Sequence, residues 1–175
     1  FEAEKRFNEK SVLLVHRYKT AEYTISGPIS IGAILAGVDE NKLIAIKDFG
    51  IPVGIAFQLR DDELGMFSSE EELGKPVDSD LRESKVTILI VKALQNAKGE
   101  DLKFLKYAYG HKNLTTDEVE KVREIMKKVG ALDYSQKLSR KLVEDGKKFI
   151  PQITDNPKYQ ELLADLADFV IQRKS

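Results

Sequence analysis

Two adjacent carboxylates, Asp61 and Asp62, follow Gln58 by three and four residues in the stretch GIAFQLRDDELGMF, residues 54–67. Shortly after comes GKPVDSDLRESK, residues 74–85, with lysines at Lys75 and Lys85. Paired aspartates attract a hard divalent cation, Mg2+ before others. Lysine binds phosphate as a point charge on a long stem, so lysines near a carboxylate pair make sense if a phosphate lies between them. On a helix that turns about 100° per residue, Gly54, Gln58, Asp61, Asp62 and Gly65 share one face. That face is small or polar, while Ile55, Ala56, Leu59 and Leu64 supply much of the rest. Two acids on a buried helix need compensation, and a metal ion would supply it. Taken alone, the dyad also fits a helix end facing water, and each lysine fits an ordinary solvated side chain.

A second polar cluster precedes it. His16, Lys19, Thr20 and Tyr23 fall on one face at three- and four-residue spacing, if that segment is an α-helix. Lysine beside threonine offers a charge and a hydroxyl to one phosphate, although that pair alone is not specific. His16 has no partner acid at helical spacing. His111, after Gly110, reads as a turn residue.

The elements that must carry these groups are helical nearly throughout, since strict alternation never persists. Residues 2–26 predict one or two helices broken near Gly27-Pro28, and residues 29–36 an apolar helix stopped at Gly37. Asp39 caps a long helix running through Lys42 to about Leu64, with Pro52 expected to kink it. Residues 65–83 read as a loop. Further helices are predicted over Ser84–Asn96, Asp101–Tyr109, from Thr115 onward, Leu132–Lys147 and from Asn156 onward. Thr115 with Glu118 forms a capping box, followed by an apolar face of Val119, Val122, Met126 and Val129. Asn156 caps the last helix with Pro157 in its first turn, and Leu162, Leu163, Leu166 and Val170 form its stripe. The fold class is all-α.

Composition bounds the rest. At 175 residues the chain can bury a substantial core. A formal charge of −1 supplies no basic field for nucleic acid. The absence of cysteine excludes disulfides, zinc-thiolate sites and cysteine nucleophiles. No apolar run is long enough to span a membrane and no signal-peptide pattern is present, so a cytoplasmic location is expected. The chain opens on Phe1, in a stretch that reads like the inside of a helix. The expectation is that it is the later part of a longer chain.

The clusters occur in a telling order: lysine-threonine on a helix, a Gly-Pro break, FQLRDD on a long helix, then GKPVDSDLRESK. From about Val15 to Ala93 this order resembles the trans-prenyltransferases, or polyprenyl synthetases, which include farnesyl and geranylgeranyl diphosphate synthases. GIAFQLRDDELG is similar to that family's second aspartate-rich motif. The resemblance implies a bundle of long helices around a central apolar cavity, the isoprenoid synthase fold, with the N-terminal helices missing from this chain. It implies Mg2+ held by Asp61 and Asp62, with Asp61 the more direct ligand. Lys19, Lys75 and Lys85 would contact an allylic diphosphate, and Gln58 would position it or the polarised intermediate. Thr20, Tyr23 and Phe57 would lie near the reacting carbons and the second substrate, isopentenyl diphosphate. A catalytic role falls to Lys19, Thr20 and Gln58. The whole of residues 1–175 would be the C-terminal part of one synthase domain, cytoplasmic and homodimeric in the complete protein.

Two departures from the family pattern stand out. Gly65 occupies the position where many members carry a third aspartate. No first aspartate-rich motif occurs in these 175 residues. The expected function is condensation of isopentenyl diphosphate with an allylic diphosphate to a longer trans-prenyl diphosphate, with the chain inactive by itself. The alternatives are a non-catalytic partner subunit and, more weakly, a terpene cyclase. A chain lacking its upstream helices is also expected to expose the apolar faces Ile29–Leu35 and Val86–Leu94.

Overall fold

A computed structural model of the chain describes residues 8–68 and 78–173. Among these, every regular element is a helix. Helix α1 spans Glu9–His16, a π-helical segment spans Arg17–Ser26, and α2 spans Gly27–Leu35. The long α3 covers Glu40–Phe67, and α4 is a short helix, Ser79–Arg82. Then come α5 (Ile88–Asn96), α6 (Gly99–Ala108), α7 (Thr116–Lys128), α8 (Ala131–Lys147), α9 (Ile150–Ile153) and α10 (Pro157–Gln172). No helix among the described residues is long and apolar enough to cross a membrane.

The predicted caps are present because they answer orphan backbone donors at each helix start. Asp39 accepts a hydrogen bond from the Lys42 N–H at 3.0 Å, and Asn156 accepts from Lys158 N–H at 3.0 Å. Thr115 accepts from Glu118 N–H at 3.2 Å while the Glu118 carboxylate accepts from Thr115 N–H at 2.8 Å, closing the capping box. Helix α5 begins at Ile88 and not at Ser84, because Thr87 is extended and caps it through Ile90 N–H. The residues before it follow an irregular path, with Ser84 at a φ of 58°.

The chain divides into two compact units. The first comprises residues 1–12, 61–137 and 174–175, the second residues 13–60 and 138–173. The first unit is cored by Met66, Leu89, Leu105, Val122 and Met126, gathered from α3, α5, α6 and α7. Residues Ile88–Val91 are at most 2% exposed within it. The expectation that Val86–Leu94 would present an open apolar face therefore fails. Helices α6 and α7, both downstream in sequence, cover that face.

The second unit is cored by Phe49, Val53, Ala56, Val143, Ala167 and Val170. Here helix backbones approach closely at small residues. A Cβ on Gly54 would stand 2.4 Å from the Ala21 Cα, and one on Gly50 would stand 2.8 Å from the Ser26 Cα. On another side of α3, a Cβ on Gly146 would meet the Phe49 carbonyl oxygen at 2.9 Å. Apolar side chains of this unit are open on α2, at Ile31, Ile34 and Leu35, and on α10, at Tyr159, Leu162, Leu166 and Phe169. The sequence-derived stripe of α10 is thus half right. Val170 is buried and Leu163 half-buried, but Leu162 and Leu166 face outward, and Ala167 fills the core side instead.

The expected break at Gly27-Pro28 is not a break. The chain stays helical from Glu9 to Leu35, and the irregularity is the π-helical segment that ends there. Gly27 N–H donates to the Glu22 carbonyl five residues back, and a Cβ on Gly27 would meet that oxygen at 2.4 Å. Glycine at this position lets the wide turn close.

Gly54→Ala, which drives a methyl into the Ala21 backbone, is expected to lower unfolding stability by about 1–3 kcal/mol. Gly32→Ala, at a helical glycine with nothing among the described residues within 4 Å, is expected to raise it by about 0.4–1 kcal/mol. Urea denaturation of both variants reads the contrast. Equal effects would mean that the close approach at Gly54 is not sterically limiting.

Candidate active site

Within the first unit, Asp62 lies at 3% exposure and accepts a hydrogen bond from Lys85 Nζ at 3.0 Å. The same ammonium donates to Asp80 Oδ2 at 2.7 Å. Lys85 sits 23 residues beyond Asp62 in the sequence, and residues 78–85 are held so that the lysine reaches it. Asp78 has a left-handed backbone and donates its N–H to the Gly65 carbonyl at 2.9 Å. Arg82 returns to the Asp78 carboxylate through Nε at 2.5 Å and Nη2 at 3.1 Å, and its Nη1 reaches the Lys112 carbonyl at 2.8 Å. Lys85 N–H closes onto the Asp80 carbonyl at 2.8 Å. Gly110 N–H donates to the Leu81 carbonyl, and Tyr109 Oη donates to the Ser84 carbonyl. These bonds fix residues 78–85 against α3 and the end of α6.

The electrostatics follow from this burial. Loss of water by itself would lower the Lys85 pKa. The charge of Asp62 and the hydrogen bonds to Asp80 and Asp62 outweigh it, and the ammonium is held well above the ordinary lysine range. The triad borders a cavity of about 20 Å3, lined also by Met66, Thr87, Tyr109 and Met126. Asp61, one residue earlier on α3, is half-exposed, unlike Asp62. Glu63 is 7% exposed and accepts from Gln136 Nε2 at 2.9 Å. Arg123 Nε caps the end of α3 at the Met66 carbonyl, 2.7 Å away.

Within the second unit, Thr20 Oγ1 donates to Gln58 Oε1 at 2.6 Å. That bond fixes which way the Gln58 amide points. Thr20 is buried, whereas Lys19 is exposed and Tyr23 is 81% exposed. The expected shared face of His16, Lys19, Thr20 and Tyr23 therefore does not form. Residues Arg17–Ser26 are π-helical, and the wider turn rotates each side chain away from its α-helical position. His16 is 4% exposed, packed inside the unit. Lys19 borders an open groove of about 410 Å3 lined by Leu14, Val15 and Tyr18.

Phe57 is half-buried, with the Arg173 guanidinium carbon 4.2 Å from its ring centre. Arg60 donates to the Arg173 carbonyl through Nε at 3.1 Å and Nη2 at 2.9 Å. The sequence reading missed Arg60, Arg173 and Asp80. Arg60 directly precedes the aspartate pair and lies one helical turn from Phe57, a signal that could have marked it. Lys75 lies outside the described residues, as do Gly74 and Pro76.

No group of three or more His, Cys, Asp or Glu among the described residues is arranged to hold a metal ion. Two carboxylates with phosphate oxygens completing the shell are still a sufficient donor set for Mg2+, which is bound through one or two carboxylates plus substrate phosphates. Asp61 and Asp62 fit that requirement in type.

The sequence profile of the family described as polyprenyl synthetase matches residues 1–126. The chain belongs to that family. It is 37% identical over 175 residues to the geranylgeranyl diphosphate synthase of Sulfolobus acidocaldarius, covering 99% of this chain and 52% of that protein. It is 35% identical over 159 residues to a short chain isoprenyl diphosphate synthase of Methanothermobacter thermautotrophicus, covering 90% of this chain and 47% of that protein. The chain spans about half the length of the curated relatives it matches. Among solved structures, geranylgeranyl pyrophosphate synthase from Corynebacterium glutamicum, complexed with isoprenyl diphosphate and magnesium, superposes with a TM-score of 0.90 at 31% identity. That match covers 98% of this chain and 49% of that one. Polyprenyl synthase from Caulobacter crescentus, complexed with calcium and isoprenyl diphosphate, gives 0.87 at 32% identity, covering 96% and 51%. The all-helical fold is that of the isoprenoid synthases.

Arg60→Met removes both hydrogen bonds to the Arg173 carbonyl. Bonds from a charged donor contribute about 1.5–3 kcal/mol, so amide exchange in the last turn of α10 is expected to accelerate about tenfold or more. Exchange at residues 169–172 read by mass spectrometry checks this. An unchanged rate would show that the Arg60 bonds do not hold the end of α10.

Proposed function

We propose that residues 1–175 are the C-terminal part of a single prenyl diphosphate synthase domain, and that the complete polypeptide condenses isopentenyl diphosphate with an allylic diphosphate. What carries this reading is the Asp61–Asp62 pair on α3 with Lys85 delivered to it, in a chain of the polyprenyl synthetase family. The relatives' names and the isoprenyl diphosphate and divalent metal in the solved neighbours support it.

Asp61 and Asp62 hold Mg2+ in this reading. When bound, Mg2+ supplies Lewis-acid stabilisation of the negative charge that develops on the leaving diphosphate. Lys19 and Lys75 place cations on the same diphosphate, while Lys85, which the family resemblance also assigns to it, is paired with Asp62 and Asp80. Each close unit-charge pair contributes roughly 4 kcal/mol at an effective dielectric near 20. Thr20 fixes the Gln58 amide, and Gln58 then orients the ionising group. Phe57 and Tyr23 lie toward the reacting carbons and the isopentenyl substrate. Apolar helix faces keep water from the allylic cation. The attacking isopentenyl group then loses a proton to the released diphosphate, so no protein base is required.

The complete polypeptide is expected to be a cytoplasmic homodimer, and residues 1–175 alone to make no product. The Gly65 substitution favours one other reading, a non-catalytic subunit that supports an active partner. Incorporation of radiolabelled isopentenyl diphosphate into prenyl product by the complete polypeptide decides between them. Asp61→Ala is expected to reduce turnover about 100- to 1000-fold at saturating Mg2+. Turnover within a few-fold of wild type would remove Asp61 from the site. A wild-type protein that makes no product, yet raises the turnover of an active relative, would favour the subunit reading.

A further inference from the structure

The family motif places a third carboxylate one turn beyond the aspartate pair, and this chain has Gly65 there. Among the described residues, a Cβ built on Gly65 would find Asp80 Oδ2 at 3.8 Å. Asp80 thus brings a carboxylate from another element to the space beside Gly65. That carboxylate is bound to Lys85 at 2.7 Å, and Lys85 is bound to Asp62 at 3.0 Å.

We propose that Lys85 is a positioning residue, anchored by Asp80, that fixes the Asp62 carboxylate within the first unit and leaves Asp61 as the carboxylate presented outward. The inference rests on the synthase reading and deepens it, since it gives the two aspartates different tasks. Two of the three ammonium donors of Lys85 are taken by Asp62 and Asp80, so moving it onto a diphosphate would break both bonds. The Asp62 side chain is only 2% exposed. Removing the cation from a buried carboxylate is strongly unfavourable, because the desolvated charge stays behind. The backbone also opposes such a movement. Lys85 N–H is bonded to the Asp80 carbonyl, and Asp78 N–H to the Gly65 carbonyl. Both ends of residues 78–85 are therefore tied, and the lysine stem starts from a set point. Asp61, on the preceding position of α3, is half-exposed where Asp62 is buried.

The test uses the complete polypeptide with Mn2+ and inorganic pyrophosphate as probes. Free Mn2+ is followed by electron paramagnetic resonance, and pyrophosphate affinity by calorimetry at saturating metal. Asp80→Asn and Lys85→Met are each expected to raise the half-saturating metal concentration about tenfold, with pyrophosphate affinity at saturating metal changed less than about twofold, as for supporting groups around a metal ligand. Lys85→Arg, which keeps a cation, should restore most of the metal affinity. In ligand-free protein, Lys85→Met should lower the melting temperature, and this effect should vanish in an Asp62→Asn background. A pyrophosphate affinity lost in Lys85→Met with metal half-saturation unchanged would make Lys85 a diphosphate ligand and overturn the proposal. So would an Asp80→Asn protein indistinguishable from wild type. If the wild type binds no metal–pyrophosphate complex, the synthase reading fails, and the melting experiment still decides whether Lys85 tethers Asp62.

Discussion

Burying the Asp62 carboxylate is the constraint on which the site depends. A carboxylate at this depth is stable only with a cation and hydrogen bonds around it. Lys85 supplies both, and residues 78–85 are held so that it reaches α3. The left-handed turn at Asp78, the Arg82 clamp and the contact of Gly110 with Ser84 serve to hold them. The acids of GKPVDSDLRESK then have a physical role. Asp78 anchors the arginine and Asp80 anchors the lysine, so two of its three acids are spent on order.

In the second unit the corresponding constraint is steric. Glycines on α3 and α8 let helix backbones meet, and the Thr20–Gln58 bond sits four residues from Gly54 along α3. The π-helical segment carries Thr20 inward while leaving Lys19 and Tyr23 outward. A regular α-helix would have stacked Lys19 and Tyr23 over one another. A locally unfavourable helix form is most readily retained where it positions functional side chains.

Much of this was legible in the sequence. Asp39, Thr115 and Asn156 were readable as caps because capping is local, depending on three or four adjacent residues. The aspartate pair, Gln58 and the lysines were singled out because their order resembles a family pattern. What escaped depends on distant partners. Nothing within a few residues of Asp80 announces that it faces Gly65, and the pairing of Arg60 with Arg173 joins positions 113 apart. The π-helical segment was hidden because its apolar spacing is ambiguous over ten residues. The short helices α4 and α9 fall below the length at which periodicity carries a signal. The face at Val86–Leu94 was misjudged because its cover is made by later helices of the same unit.

In the proposed function, the α3 carboxylates serve a diphosphate through a divalent cation. Calorimetric titration of the complete polypeptide with an unreactive allylic diphosphate analogue, with and without Mg2+, tests it most directly. The account predicts binding that requires the metal and is lost in Asp61→Ala. Equal binding in the presence and absence of Mg2+, or metal-dependent binding untouched by Asp61→Ala, would contradict it.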